Sequence, residues 1–175
     1  MRQLELFAVD QVKVRLGYEA LEKLDIDSAL DIFRDIERFD DVADAAREAI
    51  AACARWRRLE DEHAALPTKE RAEGMWQALS TDGRFSGKPR LCLRKGLATR
   101  LIDELEELPV EPMGRGLHRG MLLGDCGRIE EAEAWYRQAL EAFPKAVQLH
   151  RQLGDLLWHA NRRTQARRHL SLIHI

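Results

Sequence analysis

No stretch of this 175-residue sequence approaches the roughly 20 consecutive apolar residues that span a bilayer, which excludes a membrane-spanning helix as an expectation. A secretory leader is missing too: "MRQLELFAVDQVKVRLGYEALEKLD" places Asp10, Lys13 and Arg15 where such a leader needs a long apolar core. A cytoplasmic protein is therefore expected. Cysteine is scarce, and Cys53, Cys92 and Cys126 are odd in number and far apart, with no CxxC and no Cys/His pair at metal spacing. That excludes a disulfide framework and a zinc site and leaves buried or idle thiols. Strand patterning is absent as well, since "PRLCLR" alternates only briefly inside a stretch of helical period.

Catalytic patterns are equally thin. "GRFSGKP" resembles the phosphate-binding loop G-x-x-x-x-G-K-[ST], but only three residues separate Gly83 from Gly87, and Pro89 stands where a hydroxyl and a donating N–H are needed. "GRGLHRG" follows prolines rather than a strand, which removes the setting a dinucleotide-binding turn requires. His150, His159, His169 and His174 lack the i, i+4 pairing with a third ligand that makes a metal site. The adjacent acids Glu106-Glu107 and Glu130-Glu131 splay around a helix instead of converging on a substrate. With no Ser/His/Asp or Cys/His arrangement, the expectation is a protein that is not an enzyme and uses no cofactor and no metal.

What is present is a soluble, helix-forming mixture, 45% hydrophobic and 33% charged, long enough for a proper core. "DVADAAREAIAACARWRRLEDEHAAL" is rich in alanine and predicts a helix up to a break at Pro67. "TKERAEGMWQAL" predicts the next, with Thr68 as its N-cap, and "PRLCLRKGLATRLIDELEEL" another, with Leu97, Leu101, Leu105 and Leu108 at helical spacing. The polar "STDGRFSGKP" connects these two, and "LPVEP" breaks the chain after them. The net charge of −2 conceals an asymmetry: residues 1–65 hold 10 Lys and Arg against 16 Asp and Glu, whereas residues 113–175 hold 10 against 6. Such a split can orient a partner or favour head-to-tail contact.

A repeat emerges from "GRIEEAEAWYRQALEAFP" and the segment after it, "AVQLHRQLGDLLWHANRRTQARRHL". Gly120 and Gly154, Gly127 and Asn161, and Ala132 and Ala166 are each 34 residues apart. The N-terminal "RLGYEALEKLDIDSALDIF" carries the same internal spacing, with Leu16-Gly17 followed by Ala29 and Phe33. Gly127 and Asn161 suit the left-handed turn that ends a first helix, and Asp25 and Asp27 suit the cap of a second. Glycines 114, 116, 120 and 124 predict that the first helix of the 113 unit begins late.

This period, with Ala132, Tyr136, Ala139 and Pro144 in the second helix, resembles the tetratricopeptide repeat family over residues 113–175 and, less fully, over 7–41. The unit at 113 departs from that pattern in carrying Arg119 where the family has Leu before the glycine. The resemblance implies an all-α, right-handed α-solenoid of antiparallel helix pairs. It predicts one domain over 1–175, made of hairpins at 7–66, an irregular helical pair at 67–112 with a connection at 80–90, and two repeat units at 113–175. The last unit closes on the apolar "LSLIHI", from which we expect the repeat array to continue beyond residue 175.

Functionally, the resemblance implies a non-catalytic protein-protein interaction module that holds a peptide or helix in a concave groove. The family's groove positions fall on Val14, Tyr18 and Leu21, on Leu117, Met121 and Asp125, and on Gln148, Arg151, Asp155, Trp158 and His159. Trp158 beside Arg151 and Asp155 has the character of an interface anchor. Asp155 stands where the family's clamp for acidic C-terminal tails has Asn, which disfavours that ligand class. Self-association through the exposed C-terminal repeat is a further expectation. The alternative is a helical scaffold of a regulatory assembly that contacts nucleic acid through Arg162, Arg163, Arg167 and Arg168, a less favoured partner because no RNA motif accompanies them.

Overall fold

The computed structural model describes residues 2–104 and 117–172, and among these all regular structure is helical, in nine α-helices. Leu105, Leu108, the "LPVEP" break, Gly114, Gly116, His174 and the end of "LSLIHI" lie outside the described residues. The chain forms two compact units, one up to Leu97 and one from Ala98 on, a division not drawn from the sequence. No helix among the described residues is long and apolar enough to cross a membrane.

The first unit contains α1 (Arg2–Glu22), α2 (Ile26–Ile36), α3 (Ala43–His63), α4 (Thr68–Thr81) and the first part of α5 (Gly87–Glu104). Helix α1 turns into α2 through Leu24, at a positive φ of 57° that is uncommon for a bulky residue, and Asp25 then caps α2 by accepting from the Ser28 amide at 3.2 Å. Asp27 does not cap; it pairs instead with Arg57 on α3. The apolar stripe of α2, Ile26, Ala29, Leu30, Phe33 and Ile36, is buried as its 3.6-residue spacing requires.

The hairpin closes tightly because Gly17 has no side chain. A Cβ there would lie 2.6 Å from the Phe33 ring, and Tyr18 meets the same ring edge-on at 5.2 Å. Alanines 46, 49 and 52 are buried on α3 with Cys53, Trp56 and Leu59.

Two expectations need correction here. Thr68 is the first helical residue, and Pro67 occupies the cap position with φ −54° and ψ 151°, since proline needs no amide partner at a helix start. The connection expected over 80–90 shrinks to 82–86, because Asp82 ties the turn to the Arg84 amide at 3.0 Å and to Arg55 on α3 at 3.2 Å, while Phe85 is buried beneath it. The chain then enters α5 through Gly87 at φ +50°, with Pro89 buried in the first turn.

Helix α5 folds back onto α1. A Cβ on Gly96 would lie 2.7 Å from the Glu22 carbonyl oxygen, Lys95 Nζ donates to Glu22 at 2.7 Å, and the Lys88 ammonium sits 4.4 Å over the Tyr18 ring.

The second unit continues α5 and adds α6 (Arg119–Asp125), α7 (Ile129–Ala142), α8 (Val147–His159) and α9 (Arg163–Ser171). Residues 117 and 118 are not helical, so α6 does begin late. Gly127 (φ 76°) and Asn161 (φ 61°) take the expected left-handed turns. The geometry of the first hairpin recurs. A Cβ on Gly120 would lie 2.5 Å from Trp135 and 3.0 Å from Tyr136, and one on Gly154 would lie 2.6 Å from Leu170. Ala29, Ala132 and Ala166 are all fully buried. In each hairpin a glycine in the first helix, a left-handed turn, an alanine and a large side chain in the second helix thus solve the same close approach.

Candidate functional site

Helix α8 is amphipathic. Leu149, Leu153, Gly154 and Leu157 face the core, which leaves Arg151, Asp155, Trp158 and His159 together on the opposite side at i, i+4, i+7 and i+8. Trp158 is 46% exposed, unusual for so large an apolar surface, and the Arg163 guanidinium lies 5.6 Å over its ring. Arg151 and Asp155 approach to 4.0 Å, and the Asp155 carbonyl is 2.7 Å from His159 Nδ1. Gln148 is half-buried at the start of the helix.

Two contacts join α8 to α6. His118 Nε2 lies 2.9 Å from Gln152 Oε1, and a Cβ on Gly124 would sit 3.2 Å from Leu156. The imidazole tautomer follows from its partners. Nδ1 accepts from the Met121 amide at 3.3 Å and caps α6, so Nε2 carries the hydrogen and donates to Gln152. The ring also stacks on Trp135 at 4.7 Å, and burial holds this imidazole below its ordinary value, against the opposing pull of the Gln152 bond.

Leu117, Met121 and Asp125, the positions expected on α6, are half-buried. Burial, Asp125 and Asp155 together push the Tyr136 phenol well up, so both carboxylates act on one buried ring from two helices. Eight of the eleven expected site residues therefore belong to the second unit.

The other three behave differently. Val14 is half-buried, while Tyr18 is 6% exposed and Leu21 is 0% exposed. Tyr18 and Leu21 are core side chains, not the lining of an open face. Tyr18 is wedged between Phe33 and Lys88, and burial raises its phenol with help from Glu48 and Cys92. The return of α5 onto α1 covers a surface that the spacing within α1 leaves free.

The basic segment is also partly engaged. Arg162 stands at the N-cap position of α9 and directs its side chain to Glu133 on α7, which Arg137 also holds at 2.6 Å. Burial pushes the Glu133 carboxyl up, but the bonds from Arg162 and Arg137 outweigh it and hold the group below its ordinary value. Arg163 covers Trp158, leaving Arg167 and Arg168 exposed and with no ion pair among the described residues.

Sequence inspection missed His118 and Gln152, although a signal existed: the two are separated by one 34-residue period. Cys53 and Cys92 are buried thiols that burial pushes up to about 11, which makes them poor nucleophiles. Among the described residues no group of three or more His, Cys, Asp or Glu side chains converges to hold a metal. Compared with known proteins, the chain matches no family model, no curated protein and no solved structure.

Proposed function

We propose that the protein is a non-catalytic interaction module, built of tetratricopeptide-like hairpins, that binds a peptide or helix of a partner protein on the α6 and α8 side of its second unit. The observation that carries this is Trp158, exposed at 46% in one row with Arg151, Asp155 and His159. A half-exposed indole flanked by fixed charges can bury its ring against an apolar side chain while the charges set the register, the usual composition of an interface anchor. The equivalent hairpins at Gly17, Gly120 and Gly154 support the repeat character.

The test is affinity capture with the whole chain from the native host's lysate, beside a Trp158→Ala/Arg151→Ala variant and with nuclease treatment. A protein retained by the chain and lost with the variant is the expected result; equal retention by both removes the α8 face from the proposal.

A second reading places nucleic acid at α9, favoured by the two exposed arginines Arg167 and Arg168. It requires RNA or DNA binding that falls steeply with salt and is lost in Arg167→Ala/Arg168→Ala.

A further inference from the structure

Helices α8 and α9 are clasped by two imidazoles. His150 Nε2 lies 2.9 Å from the Pro144 carbonyl oxygen, and His150 Nδ1 lies 3.1 Å from His169 Nδ1, with the rings 29° from parallel. The protonation of this pair follows from its partners. A carbonyl only accepts, so His150 Nε2 bears a hydrogen, and in the neutral ring His150 Nδ1 is then a bare acceptor. The hydrogen between the facing nitrogens must come from His169. One hydrogen satisfies the contact whether the pair is neutral or carries a single added proton, whereas a second added proton, which makes both rings imidazolium, sets two N–H groups head to head at 3.1 Å.

We infer that this pair is an acid-sensitive clasp: acidification through the imidazole range releases α9 from α8 within the second unit.

Nothing nearby relieves the second proton. The charged groups acting on His169 are His150 on α8, and Arg137 and Glu133 on α7. Arg137 opposes a further positive charge, and Glu133 is already held by Arg137 and Arg162. Burial, His150 and Arg137 all lower the His169 imidazole, with only Glu133 pulling the other way. The helix is also weakly anchored. Among its nine residues only Ala166 is fully buried, and Leu170 fills the notch at Gly154. A helix of nine residues does not persist in water without such packing. Its release carries away Arg163, and with it the guanidinium over Trp158.

The experiment is hydrogen exchange of the full chain between about pH 8 and pH 5, corrected for intrinsic rates, comparing amides of 163–171 with those of 129–142. His169→Gln is the informative variant. A glutamine amide can donate to a neutral His150 or, flipped, accept from a protonated one, so it tolerates both states.

In the wild type we expect protection of α9 to fall about 10-fold more than that of α7 on acidification, the equivalent of one pK unit. In His169→Gln the excess loss should vanish. His118 is present in both proteins, so its own acid sensitivity cancels from the comparison. Flat protection of α9 in the wild type, or an identical loss in His169→Gln, overturns the inference. Ordinary, independent titration of His150 and His169 by NMR also overturns it.

Discussion

Replacing Gly17 by alanine sets two effects of opposite sign against each other. In an ordinary helix interior alanine is favoured over glycine by about 1 kcal/mol, so without tertiary packing the substitution stabilises α1. Here the new methyl lies 2.6 Å, 2.8 Å and 3.0 Å from three atoms of the Phe33 ring, which is itself fully buried. Overpacking a filled core costs about 1–3 kcal/mol, and a rigid, fully buried ring that Tyr18 also contacts belongs near the upper end. The net expectation is a loss of about 1–2 kcal/mol, which lowers the folded-to-open ratio about 5–30-fold. Hydrogen exchange read on amides of 18–36 confines the measurement to the first hairpin and should accelerate by that factor. Adding Phe33→Leu, which shortens the ring, should recover part of the loss in a double-mutant cycle, with a coupling of about 0.5–3 kcal/mol. Slower exchange in Gly17→Ala alone would falsify the close-approach argument for all three hairpin glycines.

Other outcomes follow from the second unit. Trp158→Ala should shift stability by no more than about 0.5 kcal/mol in thermal unfolding, because the ring is largely on the surface; a much larger loss would assign it to the core. Glu133→Gln keeps the shape of the side chain but removes the charge held by Arg162 and Arg137, and should cost about 1–3 kcal/mol by exchange at α7 and α9. Since the folded state lowers this carboxyl, its contribution is complete above the ordinary glutamate value and fades as pH falls below about 4 through the lower folded one, so Glu133→Gln should lack that limb of the acid unfolding curve. His118→Asn retains a capping oxygen but loses the stack on Trp135, and should cost about 1 kcal/mol in urea unfolding. The fold prefers His118 neutral, so its stabilisation is complete above about pH 6.5 and declines as pH drops toward the lower folded value; the variant should be flatter there.

The features legible in the sequence are those encoded within one hairpin. The left-handed turns at Gly127 and Asn161 and the cap at Asp25 were visible because they depend on the backbone freedom or side-chain reach of one or two residues. The turn at Leu24 was not, since nothing in leucine announces a positive φ, although it stands at the same place after Gly17 as Gly127 does after Gly120. Thr68 was misplaced because threonine suits both the cap and the first turn, and Pro67 decided between them. On α8, the positions that the family resemblance implied, Arg151, Asp155, Trp158 and His159, are exposed, while Leu149, Leu153 and Leu157 are buried.

By itself, then, the sequence determined an all-helical chain and the internal geometry of three hairpins, because helix periodicity and a glycine opposite a large side chain act across fewer than about 20 residues, within the span of a single supersecondary unit. Only the tertiary structure decided that α5 covers Tyr18, that Leu21 is buried, that Glu133 sits between Arg137 and Arg162, and that His150 meets His169. The reason is that apolar helix faces are interchangeable in sequence. Which face meets which is settled by packing among all of them, and the polar side chains that come together do so as a consequence of that choice.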